Sequence, residues 1–349
     1  MKKVLRKVYL LFAHKNFIRI SLAGIAIFIF CFSFFLFLPY NIPNNLGTVE
    51  VTIERGATPE EIAGLLKKKS VIREKQSFLW GAKFLGVTRR LQAGTYSFHG
   101  RVTNYSVLRK LSKGRVLTEK ITFPEGIRAT RIASILQKHF EIDSTRFMEL
   151  VTDPSFSHSL GINAPTLEGY LYPDTYRFDL NPTPEMIIRR MVARFHEIFT
   201  DSLKERAKQI GMSVHQVVTL ASIVEGEAAL DSERTTIAAL YLNRLRKKML
   251  LQADPTIQYI IKDGPRRLLK TDLKINSPYN TYIHPGLPPG PVNNPGRASI
   301  LAVLYPAHVD YLYMVANGDG SHTFSRTISE HLKAKRRFDL IRKEVKHYR

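Results

Sequence analysis

The sequence predicts an α+β protein: an N-terminal transmembrane helix, a small α/β domain and a larger mixed α+β domain. Three observations predict it. An uncharged apolar run, Ile20–Leu38, follows a basic segment that carries Lys2, Lys3, Arg6, Lys7, Lys15 and Arg19. Short strand-like alternations are interleaved with helical periodicity from residue 48 to residue 123. Beyond residue 165, capped helical stretches dominate, interrupted by a loop rich in Pro, Asn, Gly and Tyr and followed by a hairpin pattern.

A chain of 349 residues is long enough for two domains and a tail. Its 52 Lys and Arg against 30 Asp and Glu give a net charge of +22, which suits an acidic partner, a membrane surface or an anionic polymer. Nucleic acid is not expected: no zinc spacing, aromatic RNA-binding signature or phosphate loop accompanies the charge. The single cysteine, Cys31, excludes disulfides within the chain.

The run Ile20–Leu38 is close to the ~20 apolar residues that cross a bilayer as a helix. The basic flank, residues 1–19, should stay in the cytoplasm, which places everything after Pro39 outside it. A cleaved signal peptide is the rival. The run is long for one, and no small-residue cleavage site follows before Pro39. Residues 39–47 read as a polar linker. Val49–Ile53 alternates as a strand. In Thr58-Pro59-Glu60-Glu61, Thr58 caps a helix, Pro59 opens it and Glu61 closes a capping box. Lys75–Leu85 reads as a second helix and Gln92–Phe98 as a return strand, making a βααβ unit. Ser106–Leu111 should be helical, Glu119–Phe123 extended, and Ala129–His139 helical after Pro124-Glu125-Gly126. Asp143–Val151, Pro184–Phe199 and Ser202–Ile210 continue the helical pattern. Tyr311–Ala316 and His322–Phe324 form a hairpin about Asn317-Gly318-Asp319-Gly320. The tail from Glu330 to Arg349 is a basic amphipathic helix.

The stretch from Ser213 to Glu227 carries the chemistry. Ser213 is a candidate N-cap, and Val214, Val218, Ala221 and Glu225 fall on one helical stripe. Glu227 points to roughly the opposite side. One carboxyl is thus placed among apolar side chains, where burial favours its protonated form and lets it act as a general acid. Gly226 permits close approach of another chain or a ligand. The following helix has Ile237, Leu240, Tyr241 and Leu245 as its apolar face, with Glu233 in its first turn. The Pro/Asn/Tyr loop, Asn276–Gly296, offers neutral donors and flat rings suited to carbohydrate. His322 and His331 lack ligand company, so neither a metal nor another cofactor is expected.

Six segments in series, Leu167–Tyr176 (LEGYLYPDTY), Leu220–Glu227 (LASIVEGE), Gln252–Thr256 (QADPT), Ser277–Tyr282 (SPYNTY), Gly286–Pro291 (GLPPGP) and His322–Phe324 (HTF), resemble the signatures of the YceG-like family, the endolytic murein transglycosylases. The resemblance covers nearly everything after the apolar run. It implies a LysM-like domain at 48–117, a connecting segment at 118–165 and a catalytic domain at 166–349. It implies Glu225 as the catalytic residue, in agreement with the helical wheel. Glu168, Tyr172, Glu233, Gln252, Asp254, Tyr279, Asn280 and Asn294 are candidate substrate contacts. Gly226-Glu227-Ala228 departs from the Lys-Glu-Thr-like continuation common in the family, and Ala253 stands where Thr is usual.

The implied activity is cleavage of the β-1,4 bond between N-acetylmuramic acid and N-acetylglucosamine in nascent peptidoglycan strands, leaving a 1,6-anhydro end and terminating elongation. The implied location is the cell (inner) membrane, with the catalytic domain on the periplasmic side. Shared location makes membrane-bound peptidoglycan synthases candidate partners. A lytic transglycosylase needs no water, so one carboxyl can protonate the leaving oxygen and then take the proton of the muramic C6 hydroxyl. Two alternatives stand beside this. One is a non-catalytic wall-binding membrane protein. The other is a muramidase-type hydrolase with a second carboxylate, Glu233 or Asp254.

Overall fold

The computed structural model describes residues 21–27, 29–30, 36–38, 40–42, 47–262 and 264–347. They are mixed helix and strand, and the chain divides into two compact units. One comprises residues up to Glu119 together with Arg177–Asn181; the other comprises Lys120–Tyr176 and Pro182–Arg349.

In the first unit, strands β1 (Tyr40–Asn41) and β2 (Thr48–Ile53) precede helices α1 (Pro59–Lys68) and α2 (Lys75–Phe84). Strands β3 (Gly94–His99) and β4 (Arg101–Val102) and helix α3 (Asn104–Ser112) follow. β2 and β3 pair antiparallel with Val51 opposite Tyr96. Alternation puts Val49, Val51 and Ile53 into the core with Ile62, Leu66, Phe78, Leu108 and Leu111. The Thr58–Glu61 capping box forms as the sequence predicts. Part of the stretch read as linker belongs to this unit, since β1 pairs with β4 and Ile42 is buried, and Leu36, near the end of the run read as an anchor, is buried in the same core. These apolar side chains cover core surface that the short strands leave open.

The anchor expected at Ile20–Leu38 lies partly outside the described residues. Residues 21–27 and 29–30 are helical, with Leu22, Ile25, Ile27, Ile29 and Phe30 exposed. Among the described residues no helix is long and apolar enough to cross a membrane.

The chain next forms β5 (Thr118–Thr122), which pairs with β6 (Thr175–Asp179). Between them lie α4 (Ala129–Phe140), α5 (Ser144–Val151) and α6 (Pro154–Ser159). The second unit continues with α7 (Pro184–Ile198), α8 (Asp201–Gln209), α9 (Val214–Glu227) and α10 (Arg234–Arg246). Then come α11 (Asp254–Ile260), α12 (Arg297–Leu304), the hairpin β7 (Tyr313–Ala316) and β8 (His322–Ser325), and α13 (Ile328–His347). Ser213 caps α9 in a reciprocal box with Gln216.

Helix α9 is the axis of this unit. It packs against α8, α10, α11 and α12, and every residue from Val217 to Val224 is buried. The Pro/Asn/Tyr loop is held against it: the Val292 N–H donates to Ser222 Oγ at 3.0 Å, and Asn293 Nδ2 donates to the Ser222 carbonyl at 2.8 Å. Gly169 sits at φ +89°, and a Cβ there would lie 2.5 Å from Pro291 Cβ and 3.0 Å from Val218 Cγ1. Gly169→Ala is therefore expected to destabilise the protein by about 1–3 kcal/mol, through backbone strain and overpacking. A lower midpoint in urea denaturation checks this.

Candidate active site

Glu225 lies in the last turn of α9 with its side chain only 6% exposed. The burial expected from the helical wheel is present, together with two partners that the wheel does not reveal. Arg234, at the start of α10, donates from Nη1 to Oε1 at 3.1 Å. The Gly296 N–H, just before α12, donates to Oε2 at 3.0 Å. Arg234 also donates to Asp231 Oδ1 at 2.8 Å and to Ser299 Oγ. Its guanidinium is thus fixed by groups on both sides of the carboxylate, and each Glu225 oxygen accepts an N–H.

A second carboxyl adjoins the first. The turn Pro124-Glu125-Gly126 is tied down by the Gly126 N–H, which donates to the Asn294 carbonyl at 2.9 Å. A Cβ on Gly126 would lie 3.4 Å from Glu225 Cγ, and a Cβ on Gly296 would overlap the Glu125 carboxyl. Glu125 itself is exposed. Partial desolvation, then the charge of Glu225, holds its carboxyl above the usual carboxylate range; Arg234 opposes this and Asp231 reinforces it. Sequence reasoning passed over Glu125 because it lies 100 positions from Glu225, with only the helix start at Ala129 to give it a role.

Glu227 corrects the simple wheel argument. It does not stand free in solvent: it is half-buried and accepts from Tyr241 Oη at 2.9 Å. Burial, then the charge of Asp254, pushes its carboxyl up to about 7. Leaving the apolar stripe at this end of α9 leads to a cavity lined by Tyr241, Asp254 and Tyr282. Close approach at Gly226 also has a definite partner: a Cβ there would lie 2.7 Å from Pro255 Cβ.

The other candidates divide between scaffold and surface. Glu168 and Asn294 form one buried knot. Glu168 accepts the Ala129 N–H at 3.1 Å and Asn294 Nδ2 at 3.0 Å, while Asn294 Oδ1 accepts the N–H groups of Gly169 and Leu171. Burial pushes Glu168 up to about 7. Asn280 is buried, donating to the Leu273 and Ile275 carbonyls and accepting from the Tyr282 N–H. Tyr279 packs on Tyr259 with ring centroids 4.9 Å apart. Glu233 is held by His322, whose N–H and Nδ1 meet its two oxygens at 2.9 and 2.8 Å. Gln252 and Asp254 are exposed and line a cavity with Glu227, Tyr241, Tyr282 and His322. Tyr172 is mostly buried, and its hydroxyl is raised by burial and by the charge of Glu125. Glu225 is therefore joined by Glu125, Arg234, Asp231 and Tyr172. Glu233 and Asp254 instead belong to hydrogen-bond clusters centred on His322 and Tyr282.

The sequence profile of the YceG-like family matches residues 51–337. The chain belongs to the YceG-like family. Among relatives within it, the endolytic murein transglycosylase of Bacillus subtilis (strain 168) is 35% identical over 307 residues, covering 83% of this chain and 85% of that protein. The endolytic murein transglycosylase of Streptococcus pneumoniae (strain ATCC BAA-255 / R6) is 29% identical over 334 residues, covering 84% of this chain and 60% of that protein. A YceG-like protein of Listeria monocytogenes, solved at 2.6 Å, is 34% identical with a TM-score of 0.58; the match covers 82% of this chain and 98% of that one.

The two carboxyls at about 7, Glu168 and Glu227, have a consequence for folding. Their ordinary value is 4.5. A raised folded-state value gives stability that is complete below the unfolded value and is lost as pH rises through the folded one. Stability should fall between about pH 4.5 and 7, by on the order of 3 kcal/mol for each group. Glu227→Gln should remove its share of that fall, seen as a smaller difference between urea midpoints at about pH 5 and about pH 8.

Proposed function

We propose that this protein is a membrane-anchored endolytic transglycosylase of murein, with Glu225 as the residue on which the reaction turns. The observation that carries the reading is the setting of Glu225: a carboxylate in the last turn of a buried helix, 6% exposed, oriented by a guanidinium and a backbone N–H and bordered by an open turn. The reaction cleaves the bond between N-acetylmuramic acid and N-acetylglucosamine. A proton goes to the departing oxygen, and the C6 hydroxyl of the muramic residue loses its proton and closes on C1. One carboxyl can serve both steps because it gives its proton before it takes the second. No water is consumed. Arg234 keeps the carboxylate aimed, and Tyr172 borders the sugar-facing side.

The apolar run Ile20–Leu38 serves as a single-pass anchor, with the basic N-terminus in the cytoplasm and both units outside it. The first unit acts as a LysM-like module that touches glycan. Trp80 and Phe84, one turn apart on α2, stay 62% and 70% exposed, which suits stacking on sugar rings. The anchor keeps the site close to the bilayer, so the cut would end nascent strands and bring the protein beside membrane-bound synthases. Cross-linking in native membranes that captures no synthase would count against that partnership.

Product chemistry decides the reaction. Purified peptidoglycan digested with the full chain should yield ends one water lighter than reducing ends, with no label taken up from ¹⁸O-water. Labelled reducing ends would make the protein a hydrolase, and Glu125 gives that second reading its structural basis. No product at all would favour a wall-binding role.

A further inference from the structure

We propose that the edge of α2 carrying Trp80 and Phe84 lies in the headgroup layer of the bilayer, so that the first unit rests on the membrane and does not stand off it on a linker. This rests on the anchoring read above and names the surface that the anchor brings to the lipid. It gives the two rings a nearer neighbour than the glycan they would also suit.

The apolar run ends inside the unit. Leu36, two residues before its end, is 4% exposed and shares one core with Val51, Phe78 and Leu111. A Cβ on Gly81 would lie 2.7 Å from Leu36 Cδ1 and 3.1 Å from Leu108 Cδ1, so the run is seated against both α2 and α3. Phe37 packs on Tyr105 of α3 with ring centroids 5.1 Å apart. Leu38 and Tyr40 line a small cavity with Ser77 and Arg73. Strand β1 then pairs with β4, and Ile42 is buried.

This seating shortens the span. Ile20–Phe35, 16 residues, are left to cross the bilayer. As a helix they reach about 24 Å, against roughly 30 Å of hydrocarbon. A short span is accommodated by thinning of the bilayer and by flanking groups drawn to its surface. The groups around Leu36 are therefore held against lipid.

Those groups suit a membrane surface. Ser77, Gly81 and Phe84 share one stripe of α2, with Trp80 at its border. Leu36 and Leu38 lie along that stripe, so the exposed rings of Trp80 and Phe84 border the point where the run enters. Phe37 is exposed beside them. Aromatic rings at the membrane boundary place an apolar body against the acyl chains, and the indole N–H of Trp reaches the headgroups. Arg73, beside Leu38, and Arg109, one turn beyond Tyr105 on α3, are both exposed. Their charge favours anionic headgroups.

Trp80 is the only tryptophan of the chain, so intrinsic fluorescence reads this edge alone. The test uses the full chain reconstituted into vesicles of phosphatidylcholine and phosphatidylglycerol. Trp80 emission should be blue-shifted and should lose most of its intensity when the lipids carry bromine near the top of the acyl chains. Acrylamide in the buffer should quench it little, and added N-acetylglucosamine oligomers should leave it unchanged. Emission that ignores brominated lipid and is quenched by acrylamide would overturn the proposal. Emission that ignores the lipid and responds to the oligomers would overturn it too, and return the rings to glycan. Flotation of the same vesicles after an alkaline carbonate wash tests the anchor separately. A chain that washes off removes the anchoring and this proposal with it. A chain that stays on the vesicles while Trp80 remains in water removes the proposal alone.

Discussion

Glu225→Gln is expected to lower the formation of anhydro-muramic ends by roughly 10²–10⁴-fold, the ordinary worth of a positioned acid–base group. The amide keeps the size of the side chain but cannot take the C6 proton. It also cannot reproduce the local hydrogen bonds. One Glu225 oxygen accepts from Arg234 and the other from Gly296, so the new NH₂ must face a donor. That mismatch should cost about 1–3 kcal/mol of stability. The variant should therefore fold, with a modestly lower urea midpoint, and be almost inactive. Glu233→Gln and Asp254→Asn serve as comparisons, since these carboxyls are held by His322 and Tyr282. Both should keep forming anhydro ends. An active Glu225→Gln variant would remove Glu225 from the chemistry and leave the family assignment untouched.

Arg234→Met should have the largest effect on folding. Arg234 and Glu225 have side chains 10% and 6% exposed, so solvent screens their interaction little. Removing the guanidinium leaves Glu225 buried without a cationic partner and frees Ser299 Oγ and Asp231 from their shared donor. Breaking such a buried pair from one side costs about 3–5 kcal/mol. The cost should be smaller in the double variant Arg234→Met with Glu225→Gln, because the stranded charge is gone. A denaturation cycle over the four proteins measures this coupling. Equal losses in the presence and absence of the carboxylate would mean that Arg234 acts only as packing. Activity should fall as well, since the carboxylate loses the group that aims it.

Local features of the site were legible before the structure. Ser213 followed by Gln216 marks the start of α9, and the spacing of Val214, Val218 and Ala221 carries Glu225 into the interior. The Thr58 box and the alternation at Val49, Val51 and Ile53 likewise need only neighbouring residues to be read. Candidate substrate contacts were harder to separate from scaffold. Asn280 and Asn294 have the composition of sugar ligands, yet both are buried and bond to the backbone of their own unit. A loop with many prolines leaves carbonyls and N–H groups without ladder partners, and buried asparagines satisfy them.

The sequence by itself determined the α+β class, the capped helix that carries Glu225, and the family, because periodicity, caps and motif order are properties of residues close together in the chain. Tertiary structure alone decided what surrounds Glu225. Arg234 returns to it through the turn after α9, Gly296 arrives from 71 positions away and Glu125 from 100, and no local pattern encodes those meetings. It also decided that Glu227 meets Tyr241 and that Glu233 belongs to His322. Long-range packing chose which of several acids stand together, and the proton chemistry of the site depends on that choice.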